Sequence, residues 1–359
     1  MDGQGSCIQT PGDPTFSSKG ALSEVTKCRS AVRFRRSHGT GLTMRGYTPH
    51  HKVASMKISK NAQVLKRDFR EKVDPEQISL LMKKEWKLFY VTPLYKFKHT
   101  QLKTYSKQLS AFIASEKQKG RAVEVGPETG FKVVFSIIFG LTETEEDTEL
   151  VFIQIHSKPS FAAEGASDVV IWSGWLACIN GNTEYLRAIP ADFVCLPLFC
   201  ASGAGSLTSL VKSWFETTFD CNFGQLRISP SNLHRLATMW TGCHPTVNIR
   251  YLKLSWTLPT CPPLDISYTV NPGDVSDLWS RICQGKDQVS SEVAKQFFQC
   301  LESHFFRHFR IHLSAGELTK VSTALGSAYR DGKIQFMNSD YMIDVLMLLT
   351  ESALLMMPV

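Results

Sequence analysis

Three histidines, His304, His308 and His312, stand four residues apart in "HFFRHFRIHL". On a helix such a row runs along one face, and two histidines at i, i+4 are how some zinc helices present their ligands. The chemistry would be metal-assisted hydrolysis, with imidazoles holding the ion and a bound water as the nucleophile. The surroundings argue for something plainer. A catalytic zinc needs a third ligand and usually a general base, yet the chain has no HExxH, and Glu302 precedes His304 in the wrong order. The segment "RIHLSA" alternates as a strand does, which carries His312 past the helix end. An apolar stripe of Phe298, Leu301, Phe305 and Phe309 lies beside the row, so the expected role is a packed or groove-lining imidazole. A metal- or thiol-dependent enzyme using His304, His308 and a cysteine is the alternative reading.

Other candidate chemistries are weaker. "SGAGS" before a helix lacks the third glycine of a dinucleotide fingerprint and the Gly-Lys-Ser/Thr of a Walker loop. Gly203, Gly205 and an N-capping Ser206 read as an ordinary strand-to-helix turn. Cys178, Cys195 and Cys221 sit in apolar, strand-like runs and read as small core residues rather than nucleophiles. Neither G-x-S-x-G nor a pair of carboxylates on one face is present. The expectation is a non-enzymatic protein with no cofactor, no metal and no small-molecule substrate.

What remains is charged surface. Residues 1–72 carry 14 Lys+Arg against 5 Asp+Glu, a net of +9, whereas the other 287 residues carry 26 against 28. A basic arm on a nearly neutral body suits a polyanionic partner such as nucleic acid. A second basic stretch, residues 83–121, ends in Lys117, Lys119 and Arg121, and Arg307 and Arg310 alternate with phenylalanines near the histidine row. These five are the candidate phosphate contacts, although the helix dipole alone favours cations at a helix end. Ten cysteines without a CxxC pair, no N-x-[ST] sequon and no apolar signal core point to a reducing compartment. No segment reads as a membrane span.

The elements that must position these residues read as an α+β fold, a largely antiparallel curved sheet or sheets flanked by helices and preceded by a disordered basic arm. The arm is placed at residues 1–72, an N-terminal α+β half at 73–205 and a C-terminal half at 206–359. Asp74 and Pro75 open a helix whose apolar face is Ile78, Leu81, Met82 and Leu88. Leu102, Tyr105, Leu109, Phe112 and Ile113 mark a second helix. "AVEV", "FKVVFSIIF", "LVFIQI", "VVIWSGWLACI" and "FVCLPLF" read as strands whose short links imply antiparallel pairing. "GAGSLTSLVKSWFETTF" and "NLHRLATMW" read as helices, "TVNIRYLKLSW" and "LDISYTV" as strands, with a slip of apolar phase near Tyr251 that predicts a bulge or bend. Helices are expected at Asp274–Cys283, Ser290–Phe309 and Tyr341–Met356, and extended chain at Ile311–Val321 and Lys333–Met337.

These stretches together resemble the centromere protein L family. The resemblance rests on "TPLYKF", "LKTYSKQLSAFIASEKQKG", "AVEVG", "CLPLF", "WFETTFDC", "MWTGC", "LDISY" followed by "DLW", "HFFRHFRIHLS" and "DGKI", in the family's order from about residue 74 to 356. The arm does not share it. The resemblance implies a nuclear subunit of the inner kinetochore, at the chromosome's centromere, with no enzymatic role. It implies a heterodimer with centromere protein N, contact with other inner-kinetochore subunits, and help in binding DNA and the nucleosome that holds the centromeric histone H3 variant. It further implies that strands of the C-terminal half extend one sheet across the dimer. The segments fitting that role are the extended ones, with Ile311, Leu313, Leu318, Val321, Ile334 and Phe336 as candidate edge-strand residues.

Overall fold

A computed structural model describes residues 74–119, 131–142, 144, 147–157, 168–241, 251–282 and 291–357. The arm 1–72, the "AVEV" run, Arg121 and residues 242–250, which lead into the apolar phase slip at Tyr251, all lie outside them.

The chain leaves its first helix, α1 (Pro75–Leu81), sooner than the apolar spacing predicts. Asp74 caps it through a 2.9 Å bond from the Glu76 amide, but Met82 is already extended and Lys83 turns at φ 60°. Leu88 therefore belongs not to α1 but to a strand, β1 (Glu85–Val91). Here Trp86 and Leu88 are buried while Glu85 and Lys87 are exposed, the two-residue period of a pleated strand. A short mixed run satisfies both the helical and the strand template, and tertiary pairing decides between them.

β1 is the keystone of the architecture. Its first residues pair antiparallel with β13 (Lys333–Phe336), and on its other side it pairs antiparallel with β7 (Leu198–Gly203). From β7 the sheet continues through β5 (Val169–Ala177), β4 (Leu150–Ser157) and β3 (Phe131–Ile138). From β13 it continues through β12 (Gly326–Tyr329), β11 (Glu317–Thr323), β9 (Leu252–Leu258) and β10 (Leu264–Val270). A short β8 (Phe223–Gln225) joins the end of β1, making eleven strands, and β2 (Leu94–Tyr95) pairs separately with β6 (Phe193–Val194). The described residues hold eight α-helices and thirteen strands, so the α+β reading holds. Sequence analysis did not anticipate β8 or β12. The irregularity of register that the structure does show sits in β11, between Leu318 and Lys320, opposite β9.

The two arms of the sheet are covered differently, and the strand sequences show why. β4 is apolar almost throughout, with Leu150, Val151, Phe152, Ile153 and Ile155 all buried, as a strand covered on both faces must be. One face carries α2 (Leu102–Gln118) and α4 (Gly205–Phe219), whose Tyr105, Leu109, Trp214, Phe215 and Phe219 pack on Val133, Phe135, Val151 and Ile153. β9, "LKLSWTL", alternates instead. Leu252, Leu254, Trp256 and Leu258 face α5 (Pro230–Thr241), α7 (Ser291–Phe309) and α8 (Met342–Leu355), while Lys253 is exposed on the other face. Two further helices are α3 (Thr183–Ala188) and α6 (Pro272–Ile282). The turn into α4 is the strand-to-helix corner that the glycines predicted, with Gly203 at φ 122°, but its cap residue is Ala204 rather than Ser206. Among the described residues no helix is long and apolar enough to cross a membrane.

Helix packing produces one clear pH effect. His234 of α5 lies against Phe298 of α7 with ring centroids 3.9 Å apart, and burial pushes its imidazole from 6.5 down to about 4. The folded state keeps this ring neutral, while the unfolded chain takes up a proton as pH falls below about 6.5. Stability is thus fully present above pH 6.5, falls from there toward pH 4 and then levels, by roughly 1–3 kcal/mol after allowing for partial exposure. Urea titrations at pH 7.5 and 5 should show this loss, and His234→Phe should remove most of the slope.

Candidate docking edge and basic face

The C-terminal arm of the sheet ends in β10, and this strand is paired on one side only among the described residues. All seven of its residues pair with β9, from Leu264 opposite Leu258 to Val270 opposite Leu252. Its other side presents backbone N–H and C=O groups to whatever adds there. Prolines bound it: Pro262 and Pro263 precede it, and Pro272 opens α6 two residues after its end. Because proline donates no N–H, the pairable length is confined to about seven residues. On the open face Thr257 donates to Asp265 at 2.6 Å and the Ser255 and Ser267 hydroxyls meet at 3.0 Å. On the covered face Ile266 and Tyr268 are half-buried against the core, and Leu264 is 47% exposed.

The histidine row lies beside this strand. The Tyr268 hydroxyl and His304 Nδ1 are 2.8 Å apart, and the His304 and His308 rings lie 4.6 Å from each other. His312 follows the end of α7, as its alternating context predicts, and stacks on Phe306 at 4.1 Å. Among the described residues no group of three or more His, Cys, Asp or Glu side chains is placed to hold a metal ion. The stripe that accompanies the row instead forms a ladder of rings leading outward from β10. Tyr268 meets Phe305 at 5.1 Å, and Phe305 meets Phe309 at 4.5 Å, where Phe309 is 59% exposed. A large aromatic left in water next to an open strand edge marks a docking surface more than a fold requirement.

The segments expected to supply the edge do not. β11 lies between β9 and β12, and β13 lies between β12 and β1, so each has both neighbours from its own chain. Leu313, Leu318, Val321, Ile334 and Phe336 are buried in the core against the helices, and Ile311 is partly buried at its margin. Their alternation records the covered face of interior strands. It carries no information about which strand is last, because that depends on pairing partners remote in sequence.

The basic candidates are also dispersed. Lys117 on α2 sits over the Phe131 ring at 3.8 Å, and Lys119 is paired with Glu116. α2 packs on β3, at the opposite end of the strand order from the Arg307 and Arg310 region beside β10. Arg307 is exposed at the end of α7, and Arg310, at φ 57°, lies over Phe306 at 5.8 Å. These residues form no common patch. The structure gathers other cations on the open face of the C-terminal arm. Lys87 stands directly opposite Lys333, Lys333 opposite Tyr329, and Tyr329 opposite Lys320. The Lys320 and Lys333 ammonium groups are 4.6 and 5.8 Å from the Tyr329 ring, and Lys253 is exposed on β9. Asp331 holds Lys333 at 3.0 Å and Arg330 pairs with Glu317. Like charges directly opposite each other destabilise a sheet, and at the Lys87–Lys333 pair Asp331 and Glu85 offset that repulsion. No local run of basic residues announces this face, since its four lysines come from four strands.

Four of the described thiols are no better placed for chemistry, while Cys261 is exposed and Cys300 half-buried. Cys178, Cys195, Cys200 and Cys221 are all buried, and burial pushes Cys195 and Cys221 up to about 12. Cys178 and Cys200 are pushed up as well, for the same reason. A thiol held this far above neutrality is not a thiolate nucleophile.

A mixed sheet-and-helix body whose strand order ends, among the described residues, in one-sided strands at β10 and β3, with an aromatic shelf beside β10 and a lysine-bearing face, has the surfaces an interaction protein needs. Comparison with known sequences gives the family. The Centromere protein L family model matches residues 80–354. Centromere protein L of Danio rerio is 54% identical, covering 100% of this chain and 95% of the relative. That of Xenopus tropicalis is 44% identical over 92% of this chain and 95% of the relative, and that of Homo sapiens 44% over 79% and 83%. The chain belongs to the centromere protein L family, and so to the proteins of the centromere.

Proposed function

We propose that the chain is a non-enzymatic subunit of the inner kinetochore in the nucleus, built to pair with centromere protein N by strand addition. The single observation that carries this reading is the one-sided pairing of β10 beside the exposed ring of Phe309. A partner strand laid along residues 264–270 satisfies the margin's backbone groups, and alternate side chains fix its register. Leu264 and Phe309 supply apolar area where the strand alone would give mainly hydrogen bonds. The reading is tested by sedimentation of the purified chain with and without centromere protein N. A 1:1 complex is expected; a chain that stays alone, or that pairs only with itself, contradicts it.

The open lysine face supports the second part of the reading, contact with DNA of the nucleosome that carries the centromeric histone variant. Flexible ammonium groups on a flat polar sheet favour phosphates without reading bases. Each phosphate neutralised should contribute about 0.9 to the slope of log affinity against log salt. Replacing Lys87, Lys253, Lys320 and Lys333 with alanine should therefore flatten that slope by about 2–4 in fluorescence anisotropy with a random duplex. An unchanged slope moves the contact to Lys117, Lys119, Arg307 and Arg310, whose joint replacement is the comparison.

A further inference from the structure

A polar ledge lies on the face of the sheet's N-terminal arm turned away from α2 and α4, beyond the Trp86–Trp175 pair. Ser173 stands two residues from Trp175 on β5, so the two share a face. Its cross-strand neighbours are Gln154 on β4 and Ser202 on β7, giving a row of one amide and two hydroxyls. Into this row reaches Lys84, from the residue before β1. Its ammonium donates to the Ser173 hydroxyl at 3.2 Å and lies 5.7 Å from the Trp86 ring. Ser173 is 3% exposed and Lys84 is half-buried, whereas its neighbours Lys83 and Lys87 are exposed. Among the described residues no carboxylate forms an ion pair with Lys84. The indole N–H of the wholly buried Trp175 also finds no acceptor.

We propose that Lys84 is an acylation site, its ε-amine taking an acyl group from an acyl thioester. The unprotonated amine attacks the thioester carbonyl, the N–C bond forms, the C–S bond breaks, and the thiol leaves with the proton the amine gives up. Two features of the site favour this outcome over the same reaction at a surface lysine. Burial holds the Lys84 ammonium below its ordinary range, which raises the reactive neutral fraction at neutral pH. The product also suits the ledge. An amide keeps one N–H for the Ser173 hydroxyl, sheds a charge that has no counter-ion, and brings a carbonyl among the Ser202 and Gln154 donors.

The test is site-resolved acylation of the full chain by acetyl-coenzyme A at pH 7.5, read by mass spectrometry of every lysine-containing peptide. Lys84 should be modified at least about threefold faster than its exposed neighbours Lys83 and Lys87 at pH 7.5, and its lead should narrow as pH is raised toward the ordinary lysine range. Modification of Lys84 at or below the Lys83 rate overturns the proposal. A second measurement addresses the fate of the charge. Lys84→Gln, which mimics the acylated state, should melt at or above the wild-type temperature; a fall of several degrees would show that the ammonium is needed where it stands, and would equally overturn it.

Discussion

Replacing Trp86 with alanine should remove about 3–5 kcal/mol of stability, the largest loss expected from any single side chain here. Trp86 is wholly buried in β1, its indole N–H donates to the Leu81 carbonyl at 2.8 Å, and it meets Trp175 edge-on at 5.7 Å. Those contacts tie α1, β1 and β5 together at the strand where the two arms of the sheet meet. The cavity left cannot be filled by a neighbour without shifting the β1–β13 or β1–β7 register, so the cost includes both the lost transfer energy and the void. Against a typical total of about 5–15 kcal/mol, roughly a fifth or more of the stability is at stake. Urea denaturation followed by tryptophan fluorescence reads the loss as a lower midpoint. Phe309→Ala, at an exposed ring, should change stability by no more than about 0.5 kcal/mol.

The second large effect is on association rather than folding. The double substitution Leu264→Asp with Phe309→Asp places two carboxylates on the proposed docking surface, at positions 47% and 59% exposed. Each should cost about 2 kcal/mol or more of binding, because a buried interface would have to desolvate an unpaired charge. Affinity for centromere protein N should therefore fall by roughly 700-fold or more, with urea midpoints of the isolated chain nearly unchanged. Val321→Asp separates the readings of the surface. Val321 is wholly buried in interior β11, so its replacement should unfold the chain and not selectively weaken a folded one.

Much of this arrangement was legible in the sequence, and the exceptions have physical causes. The helix of Leu102–Gln118 and the strands of Phe131–Ile138 and Leu150–Ser157 announced themselves by period, because their burial is set by neighbours on one or two whole faces. The same logic made "LKLSWTL" a strand with one wet side. β1 was misread as helix because "EWKLFYV" is short and mixes charge with apolar residues, and its identity depends on β13 and β7, over a hundred residues away. β8 and β12, of three and four residues, are too short to show any period. The apolar stripe of that helix was read correctly, Phe298, Leu301 and Phe305 being buried, but His304, His308 and His312 are themselves exposed, so the row flanks the packing and is not part of it. The candidate edge residues fell on strands that are interior in the sheet, for a different reason. Alternation identifies a strand and its covered face, but edge position is a property of the sheet, and β10 became last only through the order of pairing. The lysine face was missed on the same grounds, its members being gathered from β1, β9, β11 and β13.

Amide hydrogen exchange of the chain, alone and saturated with centromere protein N, bears most directly on the docking edge. Partner binding should slow exchange along residues 264–270 and at the end of α7, with β11 and β13 unchanged because their amides are already paired within the chain. Protection that appears elsewhere while residues 264–270 exchange as before would show that β10 is not the margin this protein offers.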